Sequence, residues 1–204
     1  MVLALKEIHM ETIQKQLRNS KEENRFNIQI IIDMLKEKDG FTKNHSLRVG
    51  YYAKIFGEKL GLSSDDIQEL EYAGIIHDIG KITIPDRILL KKSKLTKEEY
   101  EVIKRHPLEG YKILKEMKAP KNLLHYVLYH HERVDGKGYP SGLKGKEIPY
   151  KVRIFSICDA YEAMIGDRPY RGTLSNQDAL ARLKVGAGSQ FDKELVDLFI
   201  RLCL

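Results

Sequence analysis

Apolar residues recur along this chain at helical rather than strand spacing. Leu3, Leu5, Ile8, Met10, Ile13 and Leu17, then Ile28, Ile31, Ile32 and Leu35, mark one or two helices up to about residue 38, without a sustained heptad register. Gly40 breaks the pattern. Leu47, Tyr51, Ile55 and Leu60 line one side of a helix predicted from about Asn44 to Leu60, which Gly61 closes and which carries His45 in its first turn. Ser63-Ser64-Asp65-Asp66 is rich in capping residues. After it Ile67, Leu70, Gly74 and His77 follow at helical spacing, so His77 continues an apolar face and points inward. Gly80 and the Ile84-Pro85 step end that helix, leaving His77, Asp78 and Lys81 in its last turn or just beyond.

Further along, Thr96-x-x-Glu99 predicts a capping box on a helix running to Arg105 or His106, and Pro107 suits the first position of the next helix. Pro120 opens another, with Leu123, Leu124, Val127 and Leu128 inward and His130-His131 at its end. Four glycines and a proline make Asp135–Gly145 a loop. From Tyr150 to about Ile165, Val152, Phe155 and Asp159 share a helical face, which sets a carboxylate among apolar neighbours and demands a partner for it. A second loop holds Arg168-Pro169-Tyr170-Arg171. Ser175-x-x-Asp178 opens the last part of the chain, with short helices around Ala179–Leu183 and Leu195–Leu202. No strand, repeat or low-complexity segment is evident, so the expectation is an all-α, compact multi-helix bundle. Residues 1–24 are read as an N-terminal linker helix and 25–204 as one domain.

Composition narrows the function classes. Hydrophobic residues at 42% and charged ones at 31% fit a globular chain rather than a disordered one. No apolar run approaches a membrane span and no signal segment opens the chain, so the expected location is cytoplasmic. The two cysteines, Cys158 and Cys203, form no CxxC pair, which argues against a thiolate metal site. The net charge of +6 favours an anionic partner, but the basic residues are scattered and no strand interleaves them with aromatics, so a nucleic-acid polymer is not expected. A P-loop is excluded, because Gly145-Lys146 lacks both the upstream glycine and the following Ser or Thr.

Candidate chemistry lies in the histidines and aspartates. A single inward histidine is ordinarily a hydrogen-bonded core residue, and His9 and His125 are read that way. His45, His77, Asp78, His106, His130, His131 and Asp159 are different as a set, since each lies near a helix end or faces the core. Imidazoles and carboxylates suit Fe, Mn or Zn, and two metals sharing a bridging carboxylate need about this many groups. Such ions, about 3.5–4 Å apart, activate a water and stabilise both oxygens of an in-line displacement at phosphorus. Asp78 is the candidate bridge. Lys81, about one turn later, can neutralise phosphate charge, or on its own be a helix-dipole partner.

These segments resemble a known family. His77-Asp78-Ile79-Gly80-Lys81 is similar to the HD signature of metal-dependent phosphohydrolases, and His130-His131-Glu132-Arg133-Val134-Asp135-Gly136-Lys137-Gly138-Tyr139-Pro140 to the marker of the HD-GYP subfamily. The likeness runs from about Thr42 to Val196 and includes Thr42-x-x-His45-Ser46-x-Arg48-Val49, His106-Pro107-x-x-Gly110 and Arg153-Ile154 leading to Asp159. It implies an all-α cyclic di-GMP phosphodiesterase domain with a nonhaem iron or manganese centre, the seven residues above as ligands and Lys81 beside them. The expected product is linear pGpG, with GMP the result of a second cut. The resemblance also gives Gly138, Tyr139 and Pro140 a wall of the site and a contact with a signalling partner, although Tyr139 alone reads equally as a packed turn residue. Arg168 and Arg171 become forked donors to the cyclic dinucleotide's phosphates or guanine edges. Two departures stand out. Phe41 sits where some members carry a Glu for a third metal, which predicts a two-metal centre, and Ile165-Gly166 replaces a Thr-Ser pair near the substrate loop. The alternatives are a sensor or interaction module without turnover and an HD phosphohydrolase of another nucleotide.

Overall fold

The computed structural model describes residues 28–38, 40–166 and 173–202, apart from the side chains of residues 36 and 40–43. The expectations for residues 1–24, His9, the side chain of Phe41, Arg168, Arg171 and Cys203 lie outside the described residues. Among the described residues ten α-helices follow in order: α1 (Ile28–Lys38), α2 (Gly40–Lys59), α3 (Ser64–Ile76), α4 (Asp86–Leu89), α5 (Lys97–Ile103), α6 (His106–Glu116), α7 (Lys121–Tyr129), α8 (Tyr150–Ile165), α9 (Asn176–Gly186) and α10 (Lys193–Leu202). Short 3₁₀ turns occupy Ile79–Thr83 and Gly145–Glu147. Among the described residues there is no strand, only isolated bridges at Asp135–Lys144 and Ala187–Phe191, and no helix is long and apolar enough to cross a membrane.

Local chemistry fixes several boundaries. The Ser63 hydroxyl accepts the Asp66 N–H at the start of α3, and Thr96 with Glu99 forms the reciprocal capping box that opens α5. Pro120 precedes α7, where its missing N–H costs nothing. α2 begins at Gly40, ahead of the predicted Asn44, and its buried apolar side chains are Leu47, Val49, Ala53 and Phe56, while Tyr51, Ile55 and Leu60 are only half-buried. The α5 helix stops at Ile103, short of the predicted end. His125, expected in the core, is exposed.

α2 and α3 form an antiparallel pair that crosses with no side chain between them. A Cβ on Gly74 would stand 2.2 Å from the Gly50 nitrogen. The 3₁₀ turn after α3 is seated as closely on α6, where a Cβ on Gly80 would lie 1.9 Å from the His106 carbonyl oxygen. Around this spine are two apolar clusters. One packs Val49, Phe56, Leu70, Phe155, Leu183 and Phe199 between α2, α3, α8, α9 and α10. The other packs Ile31, Leu35, Leu47, Ile76, Leu114 and Val127 between α1, α2, α3, α6 and α7. Each such buried side chain contributes about 1.5–3 kcal/mol of transfer free energy. The polar seam between the clusters contributes none, and is tolerated because its charges are paired.

Candidate metal centre

Helix ends supply most of the seam's chemistry. His45 comes from the early turns of α2. His77 caps the C-terminus of α3 and Asp78 follows it, His106 opens α6, His130 caps α7 and is followed by His131, and Asp159 lies on α8. All seven predicted residues converge, and His45, His77, Asp78, His106 and His130 are each at most 4% exposed. They form two groups. His45, His77 and Asp159 offer one set of ligand atoms within 4.8 Å of one another, and His106, His130 and His131 offer a second. In the first, His45 Nε2 lies 3.1 Å and His77 Nε2 3.7 Å from Asp159 Oδ1. Asp78 lies between the groups. Its Oδ2 is 3.3 Å from His77 Nε2 and 3.9 Å from His45 Nε2, while Oδ1 is 3.3 Å from His106 Nε2.

The hydrogen bonds behind the rings decide which nitrogen is free. A carbonyl only accepts, so His77 Nδ1 donates to Gly74 O at 2.8 Å, His106 Nδ1 to Ile103 O at 2.8 Å, and His130 Nδ1 to Tyr126 O and Val127 O at 3.1 and 3.0 Å. His45 Nδ1 pairs with the Glu162 carboxylate. In each neutral ring the Nε2 lone pair is therefore turned toward the seam. Burial pushes His106 down to about 3, with the Lys81 ammonium adding to it against the pull of Asp78, and burial also holds His130 well below the usual imidazole range. Their Nε2 atoms, only 3.1 Å apart, then face each other lone pair to lone pair. That contact is repulsive without a cation and a ligand pair with one, so the donor set fits a metal ion. On His45 burial acts downward too, but hydrogen bonds to Asp159 and Glu162 outweigh it and raise the ring to about 9. A metal here would displace a proton. Burial alone would raise Asp78, yet Lys81 and the facing imidazoles hold its carboxyl well below the ordinary range.

The remaining predicted residues divide. Lys81 Nζ lies 2.5 Å from Asp78 Oδ2, at the site. The Tyr139 ring packs on the His131 ring, with centroids 4.8 Å apart and planes at 31°, and Lys104 Nζ is 5.3 Å from its centroid. Gly138 presses against the backbone of residues 131–133, where a Cβ would meet Arg133 N at 2.4 Å. Pro140 is exposed. Sequence reasoning missed two buried acids. Glu132 accepts the backbone N–H groups of Ser141, Gly142 and Leu143, tying the loop to α7's end. Glu162 pairs with His45 and with Arg48 Nε. Its position three residues beyond Asp159, on the inward stripe of α8, was a signal available in the sequence. A cleft of about 350 Å³ lies elsewhere, lined by Asp66, Glu69, Tyr126 and Lys151. Its carboxylates are already held by Lys151 and the Tyr126 hydroxyl, so the donor-rich seam is the stronger candidate.

Known proteins resemble this chain in sequence and fold. Residues 29–195 match the HD domain family. A "Cyclic di-GMP phosphodiesterase" of Thermotoga maritima is 39% identical over 180 residues, covering 87% of this chain and 49% of that protein. A "3'3'-cGAMP-specific phosphodiesterase 1" of Vibrio cholerae is 33% identical, covering 84% of this chain and 40% of that protein. The chain thus spans about half the length, or less, of these curated relatives. Among solved structures, Bd1817 of Bdellovibrio bacteriovorus, described as an HDG"Y"P protein, superposes with a TM-score of 0.65 at 20% identity, covering 78% of this chain and 51% of that one, a likeness of fold. The chain belongs to the HD-domain family, and within it to the HD-GYP type.

Proposed function

We propose that this chain is the hydrolytic domain of a cytoplasmic cyclic di-GMP phosphodiesterase, opening one 3′,5′-phosphodiester to give linear pGpG and, by a second cut, GMP. The observation that carries the reading is the placement of Asp78, whose two oxygens face two separate nitrogen-rich groups. His45, His77 and Asp159 would hold one divalent ion, His106, His130 and His131 a second, and Asp78 both. The nitrogen and oxygen donors suit Fe, Mn or Zn, and the family resemblance favours Fe or Mn among them. Bound there, the ions supply the Lewis acidity that activates the attacking water and offsets charge on the phosphate. Lys81, with its ammonium beside Asp78, adds a fixed positive charge for the developing oxyanion. Arg168 and Arg171 are assigned to the dinucleotide's phosphates or guanine edges. Packing of Tyr139 against His131 supports a wall role for the Gly138-Tyr139-Pro140 segment, and exposed Pro140 is assigned to a signalling partner.

The test is hydrolysis of cyclic di-GMP by anaerobically prepared protein loaded with iron or manganese, with metal content measured on the same sample. We expect two ions per chain and pGpG as first product. Protein that holds two ions and leaves cyclic di-GMP uncut would sink the reading, and binding without turnover would point to a sensor module. The cGAMP-specific relative favours 3′3′-cGAMP as a second substrate, so it belongs in the same assay. A preference for it would reassign the substrate and leave the chemistry intact.

A further inference from the structure

The ligand histidines are tied from behind in different ways. His77, His106 and His130 rest on main-chain carbonyls, which helix geometry supplies. His45 rests instead on the carboxylate of Glu162, a residue 117 positions away and 1% exposed. We propose that Glu162 is a positioning residue for metal capture. It orients His45 with Nε2 toward Asp159 and Asp78 and, as a carboxylate–imidazole pair, strengthens the donor at one of the two metal positions. This rests on the two-metal reading above.

Three observations support the assignment. Glu162 Oε2 lies on the Nδ1 side of His45, away from the ligand atoms, so it braces the ring and does not itself compete for the ion. Arg48, one turn after His45 on α2, places its Nε on the other carboxylate oxygen, so one helix carries the ring while Arg48 clamps the acid that holds it. Gly166 leaves the space this clamp needs. Its backbone, at φ −73° and ψ 141°, is open to any residue, so glycine is not required by conformation. Yet a Cβ there would stand 2.5 Å from Glu162 Oε1 and 3.0 Å from Arg48 Nη2. The Ile165-Gly166 departure, which in sequence looks like a loss of hydroxyls, is in space an accommodation of the Glu162–Arg48 pair.

The experiment is Mn²⁺ titration of the metal-free full chain, with Co²⁺ absorption spectra as a second readout, on wild type, Glu162→Gln and Gly166→Ser, with folding followed by circular dichroism. Glu162→Gln keeps the shape and removes the charge. It should leave one Mn²⁺ affinity within about twofold and weaken the other by about 10–100-fold, the range typical of lost outer-shell partners. The Co²⁺ spectrum should change as well, which a merely structural ion pair would not bring about. Gly166→Ser, which keeps both charges but crowds Glu162 Oε1, should weaken the same position by a smaller factor. Two wild-type affinities and an unaltered spectrum in both variants would overturn the proposal. If Glu162→Gln does not fold, Gly166→Ser decides alone, and unchanged binding in it overturns the proposal. Wild-type protein that binds both ions but does not cut cyclic di-GMP would overturn the functional reading and leave this result standing. Wild type that takes up no Mn²⁺ would overturn both.

Discussion

The two halves of the seam use similar rings in opposite electrostatic settings. The His45 half contains Asp159, has Glu162 behind it, and its histidine is raised to about 9. The His106 half holds imidazoles only, with His106 pushed down to about 3 by burial, and its nearest acid is the shared Asp78. One half is therefore charged and proton-holding, whereas the other is neutral and ready to ligate at ordinary pH. The difference arises first within the group, where Asp159 faces His45, and then behind the ring, where His45 meets the Glu162 carboxylate while His106 and His130 meet main-chain carbonyls.

The largest effect should come from removing the group both halves share. Asp78→Asn is expected to empty both positions and lower turnover by about 10³-fold, since metal ions supply several kcal/mol of charge stabilisation. Elemental analysis and product chromatography check it, and retention of either ion would break the comparison. Next comes a selective loss. His130→Ala should give a one-metal protein, and chelation of wild type should proceed in two steps, the imidazole-only half yielding first because it lacks a carboxylate of its own. A single step would show the halves to be equivalent. Gly74→Ala should cost about 1–3 kcal/mol by forcing the α2–α3 crossing apart. Urea denaturation measures that cost, and metal binding in the folded fraction should weaken at the His45 half, which spans the crossing.

The smallest effect is on the stability of the metal-free protein as pH changes. His106 has a folded pKa near 3, below its unfolded 6.5, so its contribution is present above pH 6.5 and lost as pH falls toward 3. His45 is raised to about 9, so its contribution is present below pH 6.5 and lost as pH rises through 9. The melting temperature should peak between these limits, and Glu162→Gln should flatten the alkaline limb alone. A curve falling only on the acid side would remove the contrast.

Much of the convergence was legible because the residues that meet there sit where sequence signals are strongest. His77 continued an apolar stripe, His106 preceded a proline, and His130-His131 ended a helix opened by Pro120. The capping residues at Ser63 and Thr96 placed the intervening elements. What escaped was long-range. Nothing local links Glu162 to His45 across 117 positions, and Glu132 anchors backbone amides in a loop that has no periodicity. The four-residue helix α4 is too short to show a repeat. His125 was a different kind of error. With Leu123, Leu124 and Val127 inward, helical geometry turns residue 125 to the opposite face, as its exposure confirms.

Gly74 lies three residues before His77 and Gly80 two after Asp78, so the pair is pinned at both ends by contacts with no clearance. Backbone against backbone, rather than rotamer choice, sets the working distance. Such a joint has little elastic range: it holds its spacing until the crossing parts and then fails as a whole. On heating, the chain should lose its grip on metal and its tertiary structure in one transition, without an earlier stage in which the site loosens inside an intact fold.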